Sequence, residues 1–503
     1  MIEREVKLSA WPGFSLPDLD EVADGARTRR RETVDLDATY FDTADLRLGR
    51  RGITLRHRRR GARETWTLKL PTEGSDLTDG LSRDEIEVSG PAGAVPASLT
   101  LLAAAHVRTA GLAKVARLMT VRRRTVVEGP DGGALAEIDD DEVSVMDGGR
   151  VAARFREVEV EVAADAAPEV AEALVARLCR AGAEPGGLVP KVARAIGPRF
   201  FDPPEAAVDP LPDEPTAADV VVNAIRSAVS RILGHHAMAV LDDDAEGVHQ
   251  MRVGARRLRS DLHTFRPLLD RSSTDPLRDE LRWLGQVLGD VRDPDVLGER
   301  LRAGADRNLD LDDASAVAVV LERLHADRQA AVERLHEALG SDRYLELLDA
   351  LVALGDAPPL TAEAEGPAAD VLPALVRTPW KNLRRAVRAL GDDPADEALH
   401  EIRKRAKEVR YAAEAVEPAL GKPAGRMAKG AKGVQTVLGD HQDTVVAETW
   451  LREIAEDAGT DPAAAFVLGA LVADERVERR RLREAWPEAW ATAVQSKRSR
   501  WLL

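Results

Sequence analysis

The chain opens on Ile2-Glu3-Arg4-Glu5-Val6-Lys7, a run that alternates strictly. In a β-strand successive side chains point to opposite faces, so Glu3, Glu5 and Lys7 would share one face. Two carboxylates and an ammonium on one face are typical of the wall of a wet, charged cavity. This run alone leaves open an edge strand with a solvated face.

The same alternation recurs up to about residue 200. Strands are predicted over 34–41, 53–58, 65–70, 81–88, 118–127, 134–141 and 154–162, and helices near 16–26, 96–111 and 168–181. The basic residues on one face of these strands are Arg56, Arg58, Lys69, Arg83, Arg122 and Arg124. A further basic residue, Lys191, follows the Gly-Gly turn before residue 189. The acidic residues on such faces are Glu3, Glu5, Glu85, Glu87, Glu137, Asp139, Glu157, Glu159 and Glu161.

These faces separate by sign, which predicts an antiparallel sheet that closes around a charged lumen, with its apolar face packed outward under helices. Arginine and lysine neutralise phosphate oxygens, and clustered carboxylates hold a hard cation such as Mg²⁺. The pattern therefore favours a guest that is a polyanion carrying divalent cations. The alternative is a meander whose charges lie on its solvent face.

A proline-rich segment follows the predicted strands. Six prolines fall between Gly197 and Pro215 among acidic residues, which is typical of an extended connector. We therefore predict domains over residues 1–200 and 218–503, joined by a linker over 201–217.

The second half has helical periodicity and contains a duplication. The first copy carries His249, Arg252, Arg256 and Arg259, and the second carries His400, Arg403, Lys407 and Arg410. Both sets have the spacing i, i+3, i+7 and i+10, which places them on one stripe of a helix. About 40 residues later each copy has a second matching segment, called the echo below. It consists of Leu-Gly-Asp at 288–290 and 438–440 and a further Asp at 293 and 443.

Each basic stripe taken alone is equally typical of a solvated helix face. The repetition favours a two-sided basic groove for a polyanion instead. The histidines are poor candidates for metal ligands, because their neighbours are cationic. Asp290, Asp293, Asp440 and Asp443 are expected either to belong to this groove or to orient its arginines through salt bridges.

Bulk composition narrows the functional classes. The chain has 503 residues, a formal net charge of -16 and 4% aromatic residues, which argues against general nucleic-acid or membrane-surface binding and against stacking platforms. The single Cys179 fits a reducing compartment. With no signal-peptide core and no apolar run of membrane length, we expect a cytoplasmic protein.

The first half resembles the CYTH domain of the triphosphate tunnel metalloenzymes, on the residues given above together with Tyr40-Phe41-Asp42-Thr43, Arg51-Gly52, Thr67-Leu68-Lys69 and Lys191-x-x-Arg194. The resemblance implies an eight-stranded antiparallel β-tunnel in an α+β domain that binds triphosphate. It implies catalytic roles for Glu3, Glu5 and Lys7, and Mg²⁺ or Mn²⁺ on Glu3, Glu5, Asp139, Glu157, Glu159 and Glu161. Triphosphate would bind to Lys7, Arg56, Arg58, Lys69, Arg83, Arg122, Arg124 and Lys191.

The second half resembles the CHAD domain, an all-α pair of helical bundles often fused to CYTH. The resemblance implies inorganic polyphosphate binding by His249, Arg252, Arg256, Arg259, His400, Arg403, Lys407 and Arg410. Lys407 departs from the arginine of the first copy, which keeps the charge and loses the two-pronged geometry.

Together the two resemblances imply a metal-dependent inorganic triphosphatase whose helical half binds polyphosphate, with association with polyphosphate granules as a further expectation. Three alternatives stay open: a non-catalytic polyphosphate-binding or targeting protein, a thiamine triphosphatase, and a class IV adenylyl cyclase. No residue pattern in the sequence indicates the purine pocket that a cyclase needs.

Overall fold

The computed structural model describes residues 4–71, 83–163, 166–186, 189–310, 313–456, 462–495 and 499–502, without the side chains of Arg4, Glu5 and Arg83. The chain divides into two compact units, Met1–Pro204 and Glu205–Leu503. The first is built on a β-sheet and the second consists of helices, which confirms the predicted fold class.

The first unit contains a ten-stranded antiparallel sheet with the order β10-β1-β9-β8-β7-β3-β4-β5-β6, and β2 pairs with β7 beside this path. The strands are β1 Arg4–Ala10, β2 Arg27–Arg30, β3 Val34–Asp42, β4 Thr54–Arg60, β5 Arg63–Pro71, β6 Arg83–Ser89, β7 Ala113–Glu128, β8 Ala134–Asp147, β9 Arg150–Val162 and β10 Ala183–Pro185.

Two features of the sheet correct the sequence analysis. It has ten strands rather than eight, because β2 and β10 have only four and three residues and too little alternation to be recognised. It is also not closed: within the described residues no backbone ladder joins β6 to the β1 end.

Three helices accompany the sheet: α1 Ala97–Val107, α2 Pro168–Arg180 and α3 Lys191–Ile196. The helix predicted near residues 16–26 is wrong, since these residues form turns. Glu21 and Gly25 there have positive φ angles of 59° and 69°, and the Asp20 carboxylate accepts bonds from the backbone and side chain of Thr28. Such local bonding by Asp competes with helix formation.

The apolar side of the sheet packs outward, as expected from the alternation. Leu8 on β1, Ile138 on β8 and Val160 on β9 are buried in one cluster with Leu174 and Leu178 of α2. Because side chains alternate along each strand, the residues between these apolar positions point to the opposite, concave side.

The second unit consists of ten helices within the described residues: α4 Ala217–Gly234, α5 His236–Leu241, α6 Glu246–Thr264, α7 Arg271–Asn308, α8 Ala314–Leu339, α9 Asp342–Asp356, α10 Ala368–Arg388, α11 Asp396–Leu420, α12 Lys422–Glu456 and α13 Pro462–Ala493. The first of them begins with a capping box between Thr216 and Asp219. None of the described helices is both long and apolar enough to cross a lipid bilayer.

The duplication seen in the sequence appears as two matched helix pairs. The His249 stripe lies on α6 and its echo on α7, while the His400 stripe lies on α11 and its echo on α12. The pairs meet where Arg257 Nη1 of α6 donates to Glu414 Oε2 of α11 at 2.6 Å. The two stripe-bearing helices are therefore neighbours.

Candidate functional site

Strand register aligns charged residues in rows on the concave side of the sheet. One row runs from Lys7 to Glu159, Asp139 and Arg124, across β1, β9, β8 and β7. The next row runs from Ser9 to Glu157, Asp141 and Arg122. Directly opposed side chains on neighbouring strands lie close enough to interact, so these rows form a continuous charged surface.

Two arginines of β7 form two-pronged hydrogen bonds with carboxylates of β8. Arg122 donates from Nε and Nη2 to both oxygens of Asp141 at 2.8 and 2.6 Å, and Arg124 does the same to Asp139 at 2.8 and 3.0 Å. Arg122 also contacts Asp139 and reaches Glu159 Oε2 at 3.0 Å. Two-pronged arginine–carboxylate pairs are short and strong, so they fix the orientation of both partners.

Lys191, at the first residue of α3, places its ammonium among three carboxylates. Its Nζ lies 2.6 Å from Glu159, 2.9 Å from Asp141 and 3.2 Å from Glu157. Desolvation opposes the charge of Lys191, but these three carboxylates more than offset it and raise its pKa. Lys191 is therefore a fixed cation at the centre of the acidic cluster.

The two buried glutamates of β9 have opposite electrostatic environments. Desolvation disfavours the charge of Glu159, but Lys191, Lys7 and Arg122 hold the pKa of this carboxyl well below its usual value. For Glu157 desolvation wins over the same lysines and the pKa is raised. The side chain of Glu157 is only 1% exposed, and within the described residues neither of its oxygens accepts a hydrogen bond.

A second basic flank lies on β4 and β5. Arg58 Nη2 lies 3.5 Å from Glu87 Oε1, and Lys69 forms a salt bridge with Glu85. Burial lowers the pKa of Lys69, with nearby Arg56 adding to the effect. These cations lie across β3 from the rows described above, on the same side of the sheet.

The sheet is curled enough for its flanks to act on one another. Desolvation opposes the charge of Arg56 on β4, yet its pKa is raised by Tyr40, by Glu85 and by Glu159 of β9. Lys7 of β1 helps to lower the pKa of Lys69 on β5. Because β1 and β5 are distant in the strand order, this coupling requires a concave cradle in which both signs of charge face the same space.

The cradle therefore brings together most of the predicted site residues for which side chains are described: Lys7, Arg56, Arg58, Lys69, Arg122, Arg124, Asp139, Glu157, Glu159 and Lys191. Glu161 follows the same alternation and is exposed. Glu3 and the side chains of Glu5 and Arg83 lie outside the described part, so their predicted roles stay predictions.

Carboxylate oxygens are suitable donors for a hard divalent cation, and Glu157 fits best because its buried oxygens accept no hydrogen bond. The other buried carboxylates of the rows accept hydrogen bonds from Arg122, Arg124 or Lys191, whereas Glu157 has a salt bridge with Lys191 at 3.2 Å but accepts no hydrogen bond within the described residues. In the described part of the chain no three Asp, Glu, His or Cys side chains are grouped so as to hold a metal ion. A complete metal site would therefore need a residue such as Glu3 or Glu5.

The sequence analysis missed three members of the cradle. Asp141 is fully buried and pairs with Arg122 and Lys191, and its spacing of two from Asp139 was a signal for it. Tyr40 and Glu85 both act on Arg56, and both belong to runs that the alternation had identified. Their roles depend on which neighbour the curl brings near, which spacing does not reveal.

The helical unit has its own basic site, a cavity of about 1020 Å³ between the two stripes. Among its described lining residues are Arg252, Arg256 and Arg259 of α6 and His400, Arg403 and Lys407 of α11. Arg266, Arg271, Arg278, His263 and Lys404 add further basic groups, against only Glu363 and Glu408. The sequence analysis missed these additions because they lie outside the repeated pattern.

Two of the eight predicted residues are not among the described lining of this cavity: His249 and Arg410. Arg410 Nε instead donates to Glu414 Oε1 at 2.6 Å. Burial lowers the pKa of His249, and Arg292 and Arg256 contribute. Four residues on one stripe span three helical turns, so the cavity reaches only part of each stripe.

The Leu-Gly-Asp echoes support the stripes. Arg252 packs over Gly289 and forms a salt bridge with Asp293. Arg403 packs over Gly439 and interacts electrostatically with Asp443. The echo aspartates therefore act in part as orienting groups, as the salt-bridge interpretation expects. In contrast, within the described residues Arg256, Arg259, Arg403 and Lys407 form no salt bridge, and all four line the cavity.

Comparison with known proteins follows the same division of the chain. The family model for the CYTH domain matches residues 1–186, and the model for the CHAD domain matches residues 223–452. Two uncharacterised proteins of Mycobacterium tuberculosis, Rv2226 of strain H37Rv and MT2285 of strain CDC 1551, are each 35% identical over 509 residues, which cover 96% of this chain and 94% of theirs.

Two solved structures are also similar. PptA from Streptomyces chartreusis is 27% identical with a TM-score of 0.46, and the match covers 55% of this chain and 99% of that one. The CHAD domain from the plant Ricinus communis is 26% identical with a TM-score of 0.47, and the match covers 58% of this chain and 96% of that one.

The CYTH family comprises triphosphatases and cyclases, which bind triphosphate substrates and generally use divalent metal ions. The charged cradle lies in the part of the chain that the CYTH model matches, and the basic cavity lies largely in the part that the CHAD model matches. With relatives that align over nearly its whole length, this protein belongs to the family of CYTH proteins fused to a CHAD domain.

Proposed function

We propose that the cradle hydrolyses inorganic triphosphate to diphosphate and phosphate, and that the helical cavity binds inorganic polyphosphate. The observation that carries the first part is the convergence of Lys7, Arg56, Arg58, Lys69, Arg122 and Lys191 on one concave face beside buried carboxylates. Such a face suits a short, highly charged anion.

In this proposal the cations bind and orient the phosphate chain. Arg56 and Arg58 lie two apart on β4, and Lys69 lies beside them on β5. Arginine offers planar pairs of donors to phosphate oxygens, and lysine a point charge. Phosphoryl transfer passes through a transition state whose charge spreads over the equatorial oxygens, so fixed donors lower the barrier by stabilising that charge.

The carboxylates divide into two roles. Asp139 and Asp141 hold Arg122 and Arg124 in place through their two-pronged bonds. Glu157 and Glu159, with Glu3 and Glu5, would hold Mg²⁺ or Mn²⁺, which when bound supplies charge neutralisation to the phosphate oxygens. A carboxylate of the Glu3 and Glu5 pair would orient or deprotonate the attacking water, and Lys7 would neutralise charge nearby.

A panel of substrates tests this activity and its specificity. Phosphate release is measured from tripolyphosphate, thiamine triphosphate, ATP and long-chain polyphosphate, with Mg²⁺, with Mn²⁺ and with a chelator. We expect tripolyphosphate with a divalent ion to give the highest kcat/KM. Preference for thiamine triphosphate would reassign the substrate, and cyclic AMP formation from ATP would identify a cyclase.

The second candidate is a polyphosphate-binding or targeting protein without turnover. One observation favours it. Asp139, Asp141 and Glu159 form salt bridges with arginine and lysine side chains, and within the described residues they are not grouped as metal ligands. Binding of polyphosphate by a chain that releases no phosphate from any member of the panel would establish it.

For the helical cavity, the supporting observation is a set of arginines that line it from two helices and form no salt bridge within the described residues, Arg256, Arg259 and Arg403. An extended anion would be held by several weak contacts at once, each strengthened because burial removes competing water. Isothermal titration with polyphosphate of defined length tests this, and association with polyphosphate granules would follow from the same affinity. This binding would be excluded if polyphosphate gave no heat in the titration and did not compete with tripolyphosphate.

A further inference from the structure

Lys407 is the one residue at which the second stripe departs from the first, and its surroundings are unusual for a lysine. It lines the cavity from α11, with Nζ 5.8 Å from the centre of the Tyr411 ring. The four charges that act most strongly on it are all arginines, namely Arg256, Arg403, Arg259 and Arg252. The cavity's carboxylates, Glu363 and Glu408, form no salt bridge with it within the described residues.

Lys404 provides a natural contrast within the same cavity. It lies one turn earlier on α11, is exposed, and donates from Nζ to Glu401 Oε1 at 2.7 Å. An opposite charge therefore lies within contact distance of its ammonium. The two lysines of this cavity therefore differ: Lys404 forms a salt bridge with a carboxylate, and Lys407 forms none within the described residues.

The environment of Lys407 favours the neutral amine. Desolvation, followed by the four arginines, lowers its pKa to about 7. A lysine that is neutral at physiological pH has a free electron pair and is a nucleophile. The arginines whose charges disfavour the ammonium form are also the groups that attract phosphates, so an electrophile that carries a phosphate would arrive next to this amine.

We propose that Lys407 is a modification site for acyl phosphates, which the surrounding arginines draw into the cavity. The inference rests on the proposed anion-binding role of that cavity. It concerns a covalent reaction that polyphosphate itself does not undergo.

The reaction balances without a further reagent. The neutral Nζ attacks the carbonyl carbon of the acyl phosphate and forms a C–N bond, while the bond from that carbon to the phosphate oxygen breaks. The electron pair leaves with the phosphate, whose charge the arginines stabilise, and the phosphate takes up the proton of the amine and departs as hydrogen phosphate. The product is an amide that does not gain a proton at physiological pH, so the cavity loses the positive charge that Lys407 carries when protonated.

The test uses the full chain and acetyl phosphate between pH 6 and 8.5, with site occupancy measured by peptide mass spectrometry. At pH 7.5 we expect Lys407 to be acetylated at least about tenfold faster than Lys404, because a pKa near 7 gives a far larger neutral fraction, offset in part by lower nucleophilicity. The rate at Lys407 should level off above pH 7. Tripolyphosphate should protect Lys407.

An uncharged reagent, N-hydroxysuccinimidyl acetate, separates reactivity from recruitment. Arg256→Gln with Arg259→Gln should slow acetylation by acetyl phosphate more than acetylation by this reagent. Equal rates at Lys407 and Lys404 with acetyl phosphate would overturn the inference, as would selectivity for Lys407 that appears only with the uncharged reagent. If long-chain polyphosphate fails to bind while selective, tripolyphosphate-sensitive acetylation persists, the polyphosphate proposal falls and this inference stands.

Discussion

At the scale of single residues, Lys191 is the cation on which the acidic cluster of the cradle depends. Its ammonium is the shared partner of Asp141, Glu157 and Glu159 and is almost withdrawn from solvent. Removing one partner of a buried ion pair leaves uncompensated charge, which costs far more than the net contribution of the pair.

Lys191→Met should therefore lower the free energy of unfolding of the N-terminal unit by about 3 kcal/mol at pH 7. It should also reduce triphosphate turnover strongly, since the carboxylates repel a polyanion once their cation is lost. Urea titration and phosphate release measure the two effects. The matched control is Lys114→Met, an exposed lysine of β7 without a salt bridge in the described residues, which should change both by little.

The neighbouring glutamates of β9 predict opposite effects of pH on stability. The folded pKa of Glu159 is depressed, so its charge contributes stability above its unfolded pKa, and this contribution is lost as pH falls from about 4.5 through the folded value. The folded pKa of Glu157 is raised, so the stability its neutral form provides at low pH is lost as pH rises through the folded value.

At pH 7, Glu159→Gln should therefore lower the melting temperature by a few degrees and Glu157→Gln should raise it, with both differences shrinking toward pH 3. Thermal unfolding between pH 3 and 8 measures this. A shift of the same sign for both variants at pH 7 would show that their environments do not differ as described.

Residue patterns predicted the charged face well and its pairings poorly. Alternation placed Lys7, Glu159 and Arg122 on one face, because strand geometry forces side chains two apart to the same side. It did not identify Asp141 as the partner of Arg122, since register across strands is set by turns and bulges. It also counted Glu161 with the metal ligands; this residue lies outside the two rows and is exposed, and its role stays a prediction.

At the scale of elements, the basic cavity depends on two helices that present their stripes to one space. Arg403 on α11 lines the cavity without a salt bridge, whereas Arg410, two turns further along, pairs with Glu414. The helical period predicted both stripes but not how far along each helix the cavity extends.

Arg403→Gln should therefore weaken polyphosphate binding by about 1–3 kcal/mol and reduce the slope of log K against log salt by about one. Arg410→Gln, on the same stripe, should have a smaller effect. Titrations at several salt concentrations compare the two variants. Equal losses would mean that the anion follows the whole stripe rather than the cavity.

The departure of the second stripe, Lys407, gives the cavity a dependence on pH. With a pKa lowered to about 7, Lys407 gains a proton as pH falls from 8 to 6, which adds a positive charge among Arg252, Arg256, Arg259 and Arg403. Polyphosphate affinity should therefore rise over this interval, with proton uptake on binding at pH 8. His263 and His400 also line the cavity, so the measurement compares the wild type with Lys407→Met, which should lose much of the dependence.

At the scale of the whole molecule, the charge is strongly negative while both candidate sites are rich in basic groups. A net charge of -16 disfavours general association with polyanions, and it leaves specific capture to local basic surfaces. The two-part architecture was predictable because a proline-rich segment separates two different periodicities. The count of ten strands was not, since short strands such as β2 and β10 carry little pattern.

The central claim is that the charged cradle hydrolyses inorganic triphosphate. Its most direct test is kcat/KM for phosphate release from tripolyphosphate with Mg²⁺, for the wild type, Glu5→Ala, Glu159→Gln and the control Glu142→Gln. Glu142 also lies on the sheet, but it pairs with Arg123 at the exposed surface, so its loss should leave the rate within about twofold. We predict a loss of at least about a hundredfold for Glu5→Ala and Glu159→Gln. Rates equal to the wild type for these two variants would contradict the account.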